Sequence, residues 1–250
     1  MGDLSRAIEL AEEAGRVLLN LRETAPAQGL SGQALKEAGD RAAQNYLSSA
    51  LTHSHPDDAV LSEEAADHPS RLSHERVWII DPLDGTREYS EFRDDWAVHV
   101  ALWERGRFAA GAVALPAHRR VLSSHGGALP PSRPTASRLR LAVSRSRAHE
   151  RVLRLAEDLN AELVPMGSAG FKACAVVRGE VDAYVHDGGQ YEWDSAAPVA
   201  VARSYGLHAS RIDGSELTYN RANPYLPDLV VCHPDISHLV LNTLAASSNL

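Results

Sequence analysis

Residues 76–89 read Arg-Val-Trp-Ile-Ile-Asp-Pro-Leu-Asp-Gly-Thr-Arg-Glu-Tyr. The apolar run Val77 to Ile80 reads as a strand. It delivers two carboxylates, Asp81 and Asp84, across a Pro-Leu step. Pro82 removes a backbone donor and so predicts the end of the ladder near Asp81. Gly85 and Thr86 follow at once. Acids at a rigid strand end, beside N–H groups freed by a glycine, suit a hard divalent cation and a phosphate. Two ionised carboxylates ~5 Å apart at an effective dielectric of ~20 repel by roughly 3 kcal/mol. A fold that gathers such groups needs a cation, or it protonates some of them. The alternative is a turn in which Asp84 caps a helix starting near Thr86.

Periodicity organises the rest. Apolar positions from Leu4 to Leu21 share one helical face, and Arg41 to Leu51 reads as a second helix. Strands are expected at 59–61 and 77–81, then as a meander at 96–103, 108–115 and 121–123. Gly126 to Ser137 is rich in Gly, Pro and Ser and reads as a loop between two halves, 1–130 and 138–250. In the second half, strands at 139–143, 163–166, 181–186 and 229–232 alternate with helices at 149–159, 169–178, 194–205 and 236–246. That alternation implies a layered α/β arrangement. Asp187, Gly188 and Gly189 read as a polar loop bordering a substrate.

Composition narrows the function class. With 250 residues, 44% of them hydrophobic, the chain can bury a substantial core. A net charge of -8 without a basic stripe argues against a nucleic-acid polymer as partner. Cys174 and Cys232 form no CxxC and read as buried free thiols. No apolar run approaches the ~20 residues of a membrane span, and no signal pattern opens the chain, so a cytoplasmic enzyme is expected. Of 25 basic residues, only Lys36 and Lys172 are lysines. A lysine kept amid that bias suits a phosphate contact, against the alternative of a helix-surface charge.

Three further segments complete a pattern with Asp81-Pro-Leu-Asp-Gly-Thr86: Leu61-Ser62-Glu63-Glu64, Glu192-Trp193-Asp194-Ser195-Ala196-Ala197, and Glu37-Ala38-Gly39-Asp40. Together they resemble the lithium-sensitive, magnesium-dependent phosphatases of the inositol monophosphatase superfamily. Within it the chain is most similar to the CysQ-type 3'(2'),5'-bisphosphate nucleotidases. Ser62 before the acids, Val143-Ser144-Arg145-Ser146, Gly167-Ser168-Ala169-Gly170-Phe171-Lys172 and Asp94-Asp95-Trp96 carry that likeness.

The resemblance implies an α/β (α+β) fold, a layered α-β-α-β-α sandwich with the active site between the two halves. It implies two or three Mg²⁺ ions held by Glu63, Asp81, the carbonyl of Leu83, Asp84 and Asp194, an oxygen-only set that suits Mg²⁺ rather than zinc. It implies a hydroxyl–carboxylate relay of Thr86 and Asp40, with Glu63 close by and Glu64 orienting the region. Asp84, Gly85, Thr86, Arg87, Ser144, Arg147, Ser168 and Lys172 are the implied substrate contacts. The implied reaction is hydrolysis of 3'-phosphoadenosine 5'-phosphate, and possibly of its sulfated analogue, to AMP and phosphate by a metal-activated water, in sulfur assimilation. Inositol 1-phosphate or fructose 1,6-bisphosphate is the alternative substrate, and a non-catalytic metal-binding regulator the alternative from another class. A small phosphate ester is the expected partner, and a homodimer is compatible with the likeness. Two departures stand out. A threonine common to the family is absent from Lys36-Glu37-Ala38-Gly39-Asp40, and Arg147 stands where nucleotidases often have His.

Overall fold

Strand β2 runs from Arg76 to Asp84 and is buried on both faces. Val77 and Ile79 point into one apolar cluster, Trp78 and Ile80 into another. This period of two explains why the run is continuously apolar. The structure, a computed structural model, describes residues 2–132, 137–146 and 148–246.

In chain order the elements are α1 (Asp3–Thr24), α2 (Gly32–Ser54), β1 (Ala59–Ser62), β2, α3 (Thr86–Ser90), β3 (Ala97–Glu104), β4 (Arg107–Leu115) and β5 (Arg120–Ser123). There follow β6 (Arg140–Ser144), α4 (Glu150–Asp158), β7 (Glu162–Met166), α5 (Ala169–Val177), β8 (Ala183–Tyr191), α6 (Glu192–Ser204), β9 (His208–Ser210), β10 (Tyr225–Cys232) and α7 (Pro234–Ala246). The first sheet has the order β1-β2-β3-β4-β5, parallel only between β1 and β2. The second has the order β7-β6-β8-β10-β9, with β6 parallel to β7 and β8.

Three apolar clusters stack these elements into five layers. α1 and α2 cover one face of the first sheet. α5 and α6 fill the space between its other face and the second sheet. α4 and α7 close the far face of the second sheet. The order is therefore α-β-α-β-α, as expected.

Several boundaries differ from the sequence reading, each for a local reason. β2 does not stop at Asp81. It passes through Pro82 to Asp84 by a register shift against β3, and a bulge is where a sheet tolerates proline. α2 begins at Gly32 rather than Arg41, so Asp40 lies inside the helix. Gly39 permits this: a Cβ there would sit 2.9 Å from both Leu83 Cδ2 and Tyr89 Cε1. The missing side chain lets α2 press onto the end of β2. Asp187, Gly188 and Gly189 are strand residues of β8, not a loop, because β10 pairs alongside as far as Tyr191. Strand β9 was not anticipated. Of the expected loop from Gly126 to Ser137, residues 133–136 lie outside the described residues. Both cysteines are buried and free.

The contact at Gly39 sets the distance between α2 and the β2 end. Gly39→Val is expected to destabilise by about 1–3 kcal/mol through overpacking, seen as a Tm lowered by several degrees. An unchanged Tm in a thermal melt would contradict the tight contact.

Candidate metal centre and active site

Side chains three residues apart on a regular strand point to opposite faces. Asp81 and Asp84 escape this because the bulge inserts one extra residue: Asp81 pairs with His99 and Asp84 with Ala97. The turn is braced from within, since Leu83 N–H donates to Asp81 Oδ1 at 3.1 Å. Asp194 reaches the same place from the first turn of α6, where its Oδ2 accepts Tyr191 N–H at 2.7 Å. Asp81, Asp84 and Asp194 each place a carboxylate oxygen within 4.8 Å of the others.

At that separation and an effective dielectric of ~20, each ionised pair repels by about 3 kcal/mol or more. The proton affinities record the strain. Burial, then Glu63 and the other acids, raises Asp81 well above the usual carboxylate range. Burial, then Asp84, raises Asp194 to about 6. Glu63 is exposed as a whole residue, yet its carboxyl is crowded: loss of solvent there, then Asp194, raises it to about 8. Its carboxyl interacts with those of Asp81 and Asp194, so each adds to the crowding of the others. The expected ligand Glu63 is thus brought to the cluster.

Asp84 behaves differently. Burial alone would raise it, but His99 and the N-terminus of α5 keep it ionised, below its usual value. Its Oδ1 accepts Ala169 N–H at 3.2 Å and its Oδ2 accepts Gly170 N–H at 2.6 Å. These are orphan donors of a helix start, aimed at an anion. His99 Nε2 lies 3.1 Å from Asp84 Oδ2, in ion-pair range but without good hydrogen-bond alignment. Its Nδ1 meets the Trp193 carbonyl at 3.0 Å. Burial would lower His99, yet the Asp84 carboxylate outweighs it and raises the imidazole.

The site fits a hard cation. Its donors are oxygens, several of them charged, and two oxygens on opposite sides of one Mg²⁺ are about 4 Å apart. Leu83 is buried at the bulge between the two β2 acids, so its carbonyl belongs to the same turn.

The implied relay is only partly assembled. Asp40 is half-buried on α2, raised to about 7 by burial and then by Glu64, which sets Asp40 and Glu64 near each other. Thr86 opens α3. Among the described residues no hydrogen bond joins the two. Ser62 donates to Gln44 at 2.7 Å and accepts Glu64 N–H, so the end of β1 is tied to α2 one turn beyond Asp40.

The expected substrate contacts divide. Gly85 (φ 91) and Ser168 touch, since a Cβ at Gly85 would lie 2.9 Å from Ser168 Cβ. Ser168 Oγ caps α5 by accepting Phe171 N–H. Lys172 is not a surface charge: it is 4% exposed, and burial lowers it to about 8. Its ammonium donates to the Gly167 and Ser168 carbonyls and lies 5.2 Å from the Tyr184 ring. The Arg87 side chain is exposed and paired with Glu91. Ser144 ends β6. Arg147 lies outside the described residues. Glu37 is an exposed helix charge bonded to Gln33.

Sequence reasoning missed three residues. His99 gave one faint signal, a polar residue in an apolar strand. Arg145, within Ser-Arg-Ser, binds Glu88 and Glu91 and so pins that segment to α3. Arg71 is 2% exposed. It holds both Asp67 oxygens, Asn220 Oδ1 and the Arg221 carbonyl, while Glu192 accepts Asn220 and Arg221 N–H. This chain of bonds ties the segment after Glu63 to the residue two before Asp194.

The sequence pattern of the inositol monophosphatase family matches residues 3–246. A Mycobacterium leprae protein named 3'-phosphoadenosine 5'-phosphate phosphatase is 50% identical over 97% of this chain and 93% of its own. The Escherichia coli K12 3'(2'),5'-bisphosphate nucleotidase CysQ is 27% identical over 89% of this chain and 96% of its own. Among solved structures, inositol monophosphatase II of Staphylococcus aureus shares the fold with a TM-score of 0.80 at 20% identity, over 94% of this chain and 90% of that one. CysQ of Bacteroides thetaiotaomicron superposes with a TM-score of 0.77 at 24% identity, over 91% and 95% of the two chains. No helix among the described residues is long and apolar enough to cross a membrane.

The raised acids give a signed pH dependence. With Asp81, Asp194, Glu63 and Asp40 all raised, the metal-free folded state binds more protons than the unfolded chain between about pH 4 and 8. Its stability from these groups is full below about pH 4 and is lost as pH rises through that window. Lowered Asp84 acts oppositely, and its contribution is already complete above about pH 4. In EDTA, Tm is therefore expected to fall from pH 5 to 8. Mg²⁺ is expected to restore it increasingly over the same range, by about 3 kcal/mol at a hundredfold excess over Kd. Superimposable melts with and without Mg²⁺ at pH 8 would contradict a metal site.

Proposed function

The chain belongs to the inositol monophosphatase family, whose members are metal-dependent phosphatases, and we propose that it removes the 3'-phosphate of 3'-phosphoadenosine 5'-phosphate in a Mg²⁺-dependent hydrolysis. The clustering of Asp81, Asp84 and Asp194 carries the metal-dependent part of this reading. The substrate comes from relatives bearing that name at half identity over almost the whole chain. In that role the protein would serve sulfur assimilation, turning over the nucleotide left when activated sulfate is used.

Glu63, Asp81, Asp84, Asp194 and the Leu83 carbonyl would hold the cations. Bound there, they supply Lewis acidity, offsetting phosphate charge and making water nucleophilic near neutral pH. The chain itself supplies binding, orientation and proton handling. Gly85, Thr86 and Arg87 offer backbone N–H groups to the phosphate at the start of α3. The Thr86 hydroxyl would take the proton lost by the attacking water while giving its own to Asp40, which keeps it. An Asp40 raised to about 7 suits a base working near neutrality. Burial, and then Glu64, keeps Asp40 raised, and Glu63 stands at the border between this relay and the cations. Lys172, Ser168, Ser144 and Arg147 would line the side that receives the rest of the substrate. The bond broken is that between phosphorus and the 3' oxygen, and AMP and phosphate leave. Apo catalytic contacts are commonly long, which is consistent with the open Thr86–Asp40 pair.

Phosphate release with Mg²⁺ tests the reading against its alternative. 3'-Phosphoadenosine 5'-phosphate is expected to exceed inositol 1-phosphate and fructose 1,6-bisphosphate by at least about tenfold in kcat/KM, ~1.4 kcal/mol of discrimination. Equal turnover of the sugar phosphates would keep the metal chemistry and reject the nucleotide assignment.

A further inference from the structure

The residue just before α6 is a half-exposed aromatic ring. Tyr191 is 45% exposed. It stacks on Trp193 with centroids 4.7 Å apart and planes 9° from parallel. Tyr225, its cross-strand partner on β10 and 42% exposed, meets it edge-on at 6.0 Å and 81°. Among the described residues no other ring meets the second face of Tyr191. Two aromatics kept so open, beside a cluster of buried acids, forgo burial that a core position would give.

The ring is tied to the reaction centre by its own backbone. Tyr191 N–H donates to Asp194 Oδ2 at 2.7 Å. The ring is therefore carried one side-chain length from the backbone group that holds Asp194. The neighbouring backbone carries no side chains of its own. Gly188 and Gly189 both have positive φ, 118 and 89. A Cβ at Gly188 would lie 3.5 Å from the His149 ring, and one at Gly189 would collide with the Tyr225 hydroxyl. His149 caps α4, just past the Ser144-Arg145-Ser146 segment. The two glycines thus let His149 and Tyr225 close onto the backbone that leads to Tyr191.

We propose that Tyr191, braced by Trp193 beneath and Tyr225 at its edge, is the platform on which the base of the nucleotide substrate stacks. This rests on the nucleotidase reading and adds the residue that gives it selectivity. An inositol or simple sugar phosphate has no π-face to offer the ring, so the platform favours nucleotides without penalising the phosphate chemistry. Every base has such a face, so the contact selects for a base and not for adenine in particular.

The test is steady-state kinetics of the Mg²⁺-loaded full chain with 3'-phosphoadenosine 5'-phosphate and inositol 1-phosphate. Every variant keeps the N–H that holds Asp194. Loss of a stacked base is worth about 1–3 kcal/mol, so Tyr191→Ala is expected to lower nucleotide selectivity about tenfold, through KM. Inhibition by inorganic phosphate, a base-free probe, is expected to stay within twofold. Tyr191→Leu, which still covers Trp193, is expected to follow Tyr191→Ala, and Tyr191→Phe to follow the unaltered protein. If the unaltered protein shows no preference for the nucleotide, the nucleotidase reading falls and the platform with it. A preference that survives in Tyr191→Ala overturns the platform alone. So does a Tyr191→Phe variant as impaired as Tyr191→Ala, since that would make the hydroxyl the contact.

Discussion

Mutual repulsion among carboxylates that the fold forces together is the constraint on which this site depends. Asp81, Asp84 and Asp194 come from two different elements, yet their oxygens converge, and Glu63, just past β1, adds to their repulsion. Nothing in the local chemistry of any one acid favours this. The backbone imposes it, and three contacts do most of the work. The β2 bulge turns Asp81 and Asp84 to one side. The start of α5 grips both oxygens of Asp84. The Arg71 network fixes the segment after Glu63 against the turn before Asp194.

Asp84 is the hinge of this arrangement. It belongs to the first sheet but caps a helix that packs beneath the second. A charge satisfied by two N–H groups and a buried imidazole stays ionised where its neighbours are driven to hold protons. The cluster thus keeps one permanent anion and several reluctant ones. A divalent cation would relieve the reluctant acids, and a metal-free protein must protonate them. Binding and proton release are consequently two sides of one equilibrium.

Much of this was legible in the sequence because acids beside a glycine at a strand end are hard to explain as packing. A layered α/β arrangement was legible too, since the second half alternates strand with helix, and the five-layer order came from the family resemblance. What stayed hidden depended on register and close approach. The i, i+3 spacing of Asp81 and Asp84 does not announce a bulge. Gly39 stood just ahead of the helix expected from Arg41, when it is the point where that helix touches Leu83 and Tyr89. His99 becomes visible only once β3 is laid against β2, opposite Asp81. Arg71 lies in a polar stretch that periodicity reads as surface, and its partners are some 150 residues away in the chain. The openness of the Tyr191 ring likewise shows only in the structure.

An isosteric neutral residue at the centre of the cluster tests the central claim most directly. In Asp81→Asn the amide oxygen can still accept Leu83 N–H, but the side chain no longer has to take up a proton to stay buried in the metal-free protein. In EDTA at pH 8 this variant is expected to melt at a higher temperature than the unaltered protein and to gain nothing from Mg²⁺. A variant that melts lower in EDTA, or that gains as much from Mg²⁺ as the unaltered protein, would contradict a site in which acids are strained together to hold a cation.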